Sequence, residues 1–203
     1  FNKPPLATWL PYEEFPFTSR FIEIDGNHIH YLDEGEGPLL LFVHTPMWMF
    51  VFRDVIKALR GRFRCIALDF PMTGLSKASA QYQPSIPNAS TLLEQFIQRL
   101  ELCDITLVSH DIGGTVSLST ATRLPERFKG IVLNGSFGWS LERHNKEVAR
   151  FIGIVGSSLF STINAQTNVL IRLTSSSSGV GRHLSVAGKR AFQKADRSSK
   201  NRR

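Results

Sequence analysis

Cysteine is scarce in this sequence: Cys65 and Cys103 are the two in 203 residues. That excludes a small scaffold stapled by disulfides and points to two free, buried thiols in a cytosolic enzyme. Long apolar runs are missing as well. The most apolar stretch, Phe151 to Leu173, is interrupted by Ser, Asn, Gln and Thr, so no membrane span is expected. The N-terminal Phe1-Asn2-Lys3-Pro4-Pro5 has no apolar core of a secretory signal, and a cytoplasmic location follows as the expectation. Without such a signal, the glycosylation sequon Asn88-Ala89-Ser90 carries little weight. Excess charge is absent from most of the chain. The net +7 is accounted for by Arg182 to Arg203, where eight Lys and Arg face the single acid Asp196, and residues 1–181 sum to zero. A neutral body excludes an evolved nucleic-acid surface, whose basic residues lie across the fold. The segment 182–203 reads as a poorly ordered, functionally neutral basic tail.

What is present is an alternation of strand-like and helix-like stretches. Phe21–Asp25 and His28–Asp33 alternate in polarity around the turn Gly26-Asn27, which predicts a hairpin. His28 and His30 share a strand face, but no third ligand is near, so they read as half-exposed strand histidines and not as a metal site. Leu39 to His44 is continuously apolar, as a strand covered on both faces must be. The loop Thr45-Pro46-Met47-Trp48 leads into a helix predicted over 50–60. Trp48, Met49, Phe50 and Phe52 form an apolar group that serves either as a substrate-pocket lining or as core. Phe63–Asp69 is the next strand, and Thr91-Leu92-Leu93-Glu94 is a capping box for a helix running to Leu102. A helix over 115–124 and a sixth strand over 130–134 follow. Two loosely amphipathic helices are expected over 139–150 and 151–173, then a Ser- and Gly-rich linker.

The most informative stretch is Ile105-Thr106-Leu107-Val108-Ser109-His110-Asp111-Ile112-Gly113-Gly114-Thr115-Val116. A β-branched run breaks abruptly into a helix through small residues, with an acid at the break. This is the layout of a nucleophile elbow, in which a tight turn lifts one side chain clear of the sheet edge. An ordinary strand–helix turn with Asp111 as helix N-cap would share some of these residues. The Ser-His-Asp-Ile-Gly-Gly run resembles the elbow of α/β-hydrolases with an aspartate nucleophile, the haloalkane dehalogenases and the epoxide hydrolases. Two flanking motifs extend the resemblance: Tyr31-Leu32-Asp33-Glu34-Gly35 with Gly37-Pro38, and the loop Asp69-Phe70-Pro71-Met72-Thr73-Gly74-Leu75-Ser76, in which Asp69 is structural.

The resemblance implies a doubly wound, mostly parallel α/β-hydrolase sheet, present here as about six of eight strands. It implies a core over 1–138, the start of a helical cap over 139–181, and the basic tail beyond. Asp111 would be the catalytic nucleophile, and the backbone N–H groups of Thr45 and Ile112 the oxyanion hole. Trp48, Met49 and His44 would line the pocket. Substrates would be small and apolar, with no cofactor, no metal, no specific nucleic acid and no membrane partner. The chain also departs from the family. The loop after the third strand lacks its glycine, is one residue shorter and carries Thr45 where an Asn is frequent. Ile112 replaces the tryptophan of dehalogenases. No acid ends the sixth strand at Asn134-Gly135-Ser136, and no histidine follows in the family's place, since His144 and His183 fall in the cap and tail. With Phe1 as its first residue and these groups missing, the chain is expected to be incomplete and inactive by itself. An uncovered sixth strand would then self-associate. Epoxide hydrolysis is the alternative chemistry, although Tyr12, Tyr31 and Tyr82 all precede the cap. A non-catalytic α/β binding domain is the alternative of another kind, and a serine-type esterase is the third, although the elbow offers Asp111 and Ser109 sits off its apex.

Overall fold

The computed structural model describes residues 9–139, 145–176 and 180–195, and divides into two compact units. The first, residues 17–139, carries one six-stranded sheet: β1 (Arg20–Ile24), β2 (Asn27–Glu34), β3 (Leu39–Thr45), β4 (Arg64–Leu68), β5 (Ile105–Asp111) and β6 (Phe128–Asn134). Their spatial order is β1-β2-β4-β3-β5-β6. β3, β4, β5 and β6 run parallel, and the β1–β2 hairpin joins antiparallel to β4. The hairpin turns at Asp25 and Gly26, both at positive φ (49° and 74°), the geometry that matches strand twist in a two-residue loop.

β3 is apolar from Leu39 to Val43, and helices cover it on both faces. Leu41 and Val43 pack into a cluster with Leu92, Leu93, Phe96 and Val116, while Phe42 meets the ring of Phe52 at 5.1 Å between centroids. The first face is closed by α2 (Ile86–Arg99) and α3 (Ile112–Arg123), the second by a 3-10 turn (Met49–Phe52) and α1 (Arg53–Leu59). α2 buries Ala89, Leu92, Leu93, Phe96 and Ile97, the spacing of a single helical face. It begins five residues before the Thr91 capping box. Ser85 caps it, accepting from the Asn88 N–H at 3.2 Å, with Pro87 in the first turn, a start signal that outranks Thr91.

Two further expectations are corrected. His30 is fully buried, because β2 lies between β1 and β4; only His28 is half-exposed, hydrogen-bonded to Glu23 at 2.5 Å. Cys65 is a buried free thiol in β4, but Cys103 is exposed beyond the end of α2.

The second unit contains α4 (Lys146–Val155), α5 (Ser158–Thr167), α6 (Val169–Thr174), a 3-10 turn (Val180–His183) and α7 (Val186–Ala195). The helix expected from residue 151 is broken twice. Ser157 caps α5, accepting from the Phe160 N–H, and Asn168 turns the chain in the left-handed region (φ 54°). The expected helix start over 140–144, and His144 with it, lie outside the described residues. The basic segment after Arg182 differs from the tail expected. Gly188, Ala191, Phe192 and Ala195 recur at helical spacing and are buried on α7, an apolar face that the Lys and Arg count conceals. No helix among the described residues is long and apolar enough to cross a membrane.

Candidate active site

β5 ends at Asp111 and α3 begins at Ile112 with no residue between. The turn is possible because Asp111 adopts φ 57°, ψ −137°, a region that an L-residue occupies only under constraint. Strain of this kind costs on the order of 1–3 kcal/mol and persists where the surroundings over-determine it. Here the constraint comes from the two glycines. A β-carbon on Gly113 would land on the backbone of β3, on the Val43 carbonyl oxygen and 2.9 Å from the His44 Cα. One on Gly114 would collide with the Ser136 side chain. The first turn of α3 is thus pressed between β3 and the loop after β6. Beneath it the hydroxyls of Ser109 and Ser117 meet at 2.7 Å, both fully buried, which pins β5 to α3 and removes Ser109 as a nucleophile.

Asp111 Oδ1 accepts the Ile112 N–H at 2.8 Å, at the positive end of the α3 dipole. Oδ2 has no partner among the described residues. Burial raises the Asp111 pKa above the ordinary aspartate value, against the Ile112 hydrogen bond and the nearby His110, which both lower it. Thr45 ends β3 as the register partner of Asp111, so the chain segment named as the second N–H donor lies beside the carboxylate. The Thr45–Pro46 peptide is cis.

Trp48, Met49 and His44, the residues named for the pocket, are 2%, 0% and 1% exposed. Trp48 stacks on Phe50 with centroids 4.9 Å apart. The Met49 N–H donates to Asp69 Oδ1 at 2.9 Å, and Asp69 Oδ2 accepts the Leu75 N–H at 3.0 Å and pairs with His30 Nδ1 at 2.8 Å. Asp69 is fully buried and plays the structural part read from its loop, holding the residues after β3 in place. Gly74, the glycine retained in that loop, is required because any side chain there would strike the Asp69 carboxylate.

The pairing of two histidines under the site was not foreseen. His44 and His110 are register partners on β3 and β5 and stack at 5.1 Å with 17° between planes. His110 Nδ1–H donates to the Asn134 carbonyl at 2.6 Å, and His44 Nδ1–H donates to the His110 carbonyl at 3.2 Å. Neither imidazole is hydrogen-bonded to Asp111. Register would have shown the pair in sequence only once β3 and β5 were known to be neighbours. Burial lowers the His44 pKa from 6.5 to about 4, the carbonyl hydrogen bond opposing and His110 adding to the fall. His44 is therefore neutral at pH 7, with Nδ1 carrying the proton and Nε2 buried without a partner among the described residues.

A pH dependence of stability follows. The unfolded chain protonates His44 near pH 6.5, whereas the folded chain resists until about pH 4. The contribution of neutral His44 is thus present above 6.5 and lost as pH falls to about 4, a loss of about 3 kcal/mol across the window. Urea titrations from pH 7 to 4 should show this slope in the native chain and a shallower one in His44→Gln. Parallel slopes would show that His44 does not titrate as described.

With this geometry in place, comparison with known proteins is decisive at one level. A family model described as the alpha/beta hydrolase fold matches residues 38–154. The chain belongs to the α/β-hydrolase family. Among curated relatives, haloalkane dehalogenase 2 of Mycobacterium tuberculosis is 36% identical over 126 residues, covering 62% of this chain and 44% of that protein. The cis-3-alkyl-4-alkyloxetan-2-one decarboxylase of Shewanella oneidensis is also 36% identical, over 122 residues, covering 58% of this chain and 38% of that protein. The chain thus spans less than half the length of these relatives. Among solved structures, the haloalkane dehalogenase DbeA of Bradyrhizobium elkani has the same fold at TM-score 0.77 and 18% identity, covering 92% of this chain and 66% of that one.

Proposed function

We propose that the protein is a hydrolase of the haloalkane dehalogenase type, with Asp111 as nucleophile. The observation that carries this reading is the strained Asp111 at the strand–helix junction, one carboxylate oxygen held by the Ile112 N–H and the other unpartnered. In the first step Oδ2 attacks the carbon bearing the halogen. The carbon–halogen electron pair leaves as halide, and an alkyl ester of Asp111 forms. Oδ1 is then the ester carbonyl oxygen and is already seated on the Ile112 N–H. When water adds to Cγ, the negative charge develops on Oδ1, where Ile112 and, beside it, the Thr45 backbone stabilise it. Collapse returns the carboxylate and releases the alcohol and one proton. Small apolar substrates follow from the likeness to haloalkane dehalogenases and not from Trp48, Met49 and Phe50, which are packed into the core after β3.

The second step needs a base for the attacking water. Neither His44 nor His110 is hydrogen-bonded to Asp111, and His44, with its pKa near 4, is a weak one. The 203-residue chain should therefore release halide once and stop. Incubation with a 1-haloalkane, followed by ion chromatography, should give at most about one halide per chain, as expected for an accumulating covalent intermediate. Because Asp111 attacks only when ionised and burial raises its pKa, the rate of that release should rise with pH to a plateau reached later than for an ordinary aspartate. Asp111→Asn should release none. Release by Asp111→Asn, or sustained turnover, would contradict the assignment. The decarboxylase relative makes an oxetan-2-one the informative second substrate: consumption of it with no halide release from haloalkanes would favour that reading.

Self-association belongs to the same proposal. Among the described residues β6 pairs with β5 alone, and Ile131, Val132 and Leu133 on it are 38%, 52% and 44% exposed. An apolar strand with one free edge is a template for another strand. Sedimentation should show the chain as a dimer or larger, and Val132→Lys should shift it to monomer. A monomeric native chain would exclude association through β6.

A further inference from the structure

On the other half of the sheet, three side chains form a line that the chemistry of Asp111 does not use. β2 is separated from β5 by β4 and β3. In β2, His30 sits opposite Phe21 of β1, and the two rings lie 5.2 Å apart between centroids. His30 Nδ1 pairs with Asp69 Oδ2 at 2.8 Å, and His30 Nε2 pairs with Ser19 Oγ at 2.9 Å. A carboxylate only accepts, so the ring proton is on Nδ1 and Nε2 carries a lone pair. The Ser19 hydroxyl therefore donates to Nε2. Serine, imidazole and carboxylate stand in the order of a nucleophile, its base and the group that orients the base.

The imidazole is held through its backbone as well as its ring. The His30 N–H donates to Ser76 Oγ at 2.8 Å, Ser76 Oγ donates to the Asp69 carbonyl at 2.7 Å, and the Asp69 N–H donates to the His30 carbonyl at 2.9 Å. The Met49 and Leu75 N–H groups fix the two oxygens of the Asp69 carboxylate. A buried carboxylate aimed at Nδ1 stabilises the imidazolium that forms when Nε2 takes a proton. His30 and Asp69 are fully buried, whereas Ser19 is partly exposed. The member of the line that reaches the surface is thus the one that a reagent must meet. A hydroxyl that merely covers Nε2 would have the same resting geometry, and reactivity separates the two.

We propose that Ser19 is a second nucleophile of this protein, with His30 as its base, Asp69 as the positioning residue and a small activated ester as the acyl donor. Ser19 Oγ attacks the ester carbonyl carbon while its proton passes to His30 Nε2. The tetrahedral adduct collapses, the bond to the leaving oxygen breaks, and the alcohol departs with the proton from Nε2, leaving an acyl group on Ser19. Water then follows the same route, its proton passing to Nε2 and on to Ser19 Oγ as the acid is released. The test treats the 203-residue chain with p-nitrophenyl acetate, follows nitrophenol by absorbance and maps acetyl groups by mass spectrometry after an acid quench. The native chain should release nitrophenol in a burst of about one per chain and carry the acetyl group on Ser19. Ser19→Ala, a change at a partly exposed position, should abolish the burst. His30→Gln should slow it by about a hundredfold or more. Asp69→Asn should slow it by a similar factor, because an amide donating to Nδ1 leaves the ring proton on Nε2, and nitrogen NMR of the His30 ring should show that change of tautomer. Circular dichroism establishes that each variant is folded. Asp111→Asn, which should release no halide, should still acetylate Ser19, so the two sites are read separately. The Ser19 adduct and its loss in denaturing urea test the proposal without any buried variant. No acetyl group on Ser19, a burst that survives Ser19→Ala, equal acetylation of Ser19 in the folded and the urea-denatured chain, or a folded Asp69→Asn that reacts at the native rate with its ring proton on Nε2 would each overturn it.

Discussion

Gly113→Ala should destabilise the chain by about 3 kcal/mol, the upper part of the range for overpacking a closed site, and drive much of it into the insoluble fraction. The added methyl would meet backbone, and backbone cannot rotate away. Its neighbours would be the Val43 carbonyl and the His44 Cα at 2.9 Å, in the central strand of the sheet. Relief requires α3 to lift from β3, which would also pull Val116 out of the cluster it shares with Leu41, Val43 and Leu93. Gly153 provides the control. It lies inside α4 with nothing near its missing side chain, so Gly153→Ala should be neutral or stabilising by up to about 1 kcal/mol from helix propensity alone. Urea midpoints of the two variants measure the difference. A Gly113→Ala chain within 1 kcal/mol of the native one, about the size of an ordinary surface change, would show that the elbow is looser than described.

Asp69→Ala should cost about 3–5 kcal/mol, the range for removing one partner of a buried polar network. Its carboxylate satisfies the Met49 and Leu75 N–H groups and His30 Nδ1, and Asp69, Met49 and His30 are fully buried. Alanine would leave the Met49 N–H and His30 Nδ1 buried without this partner. Asp69→Asn retains one acceptor oxygen and should recover part of the loss. Amide exchange at Met49 and Leu75 should accelerate in both variants, because their hydrogen bonds to the carboxylate are lost or weakened. Unchanged exchange at these two amides would mean that Asp69 does not hold the loop after β3.

The central sheet was legible because its strands are regular. The apolar run 39–44 forms β3, the hairpin forms with its turn at Asp25-Gly26, one residue before the expected Gly26-Asn27, and the small residues around Asp111 form the tight strand–helix turn. Errors gathered where local signals compete. Thr91-Leu92-Leu93-Glu94 looks like a helix start, but Ser85 and Pro87 lie upstream, and the apolar face of α2 already begins at Ala89. The basic segment after Arg182 conceals the stripe that forms α7, because charge counts ignore periodicity. At the site, the elbow was readable because it is contiguous in sequence, and the structural role of Asp69 was implied by the resemblance of its loop to that of the family. His30 beneath Asp69 and the His44–His110 stack could not be read, since both depend on strand order. That order places β2 next to β4 and β3 next to β5, and no local pattern encodes it.

The most direct measurement for the central claim is the mass of the peptide containing Asp111 after the chain is incubated with a 1-haloalkane and digested. The proposed chemistry predicts that this peptide gains the mass of the alkyl group less one hydrogen, with fragmentation placing the gain on Asp111 and no gain in Asp111→Asn. An alkyl group found instead on His110, Ser109 or Cys103, or an unmodified peptide from a chain that has released halide, would contradict Asp111 as the nucleophile.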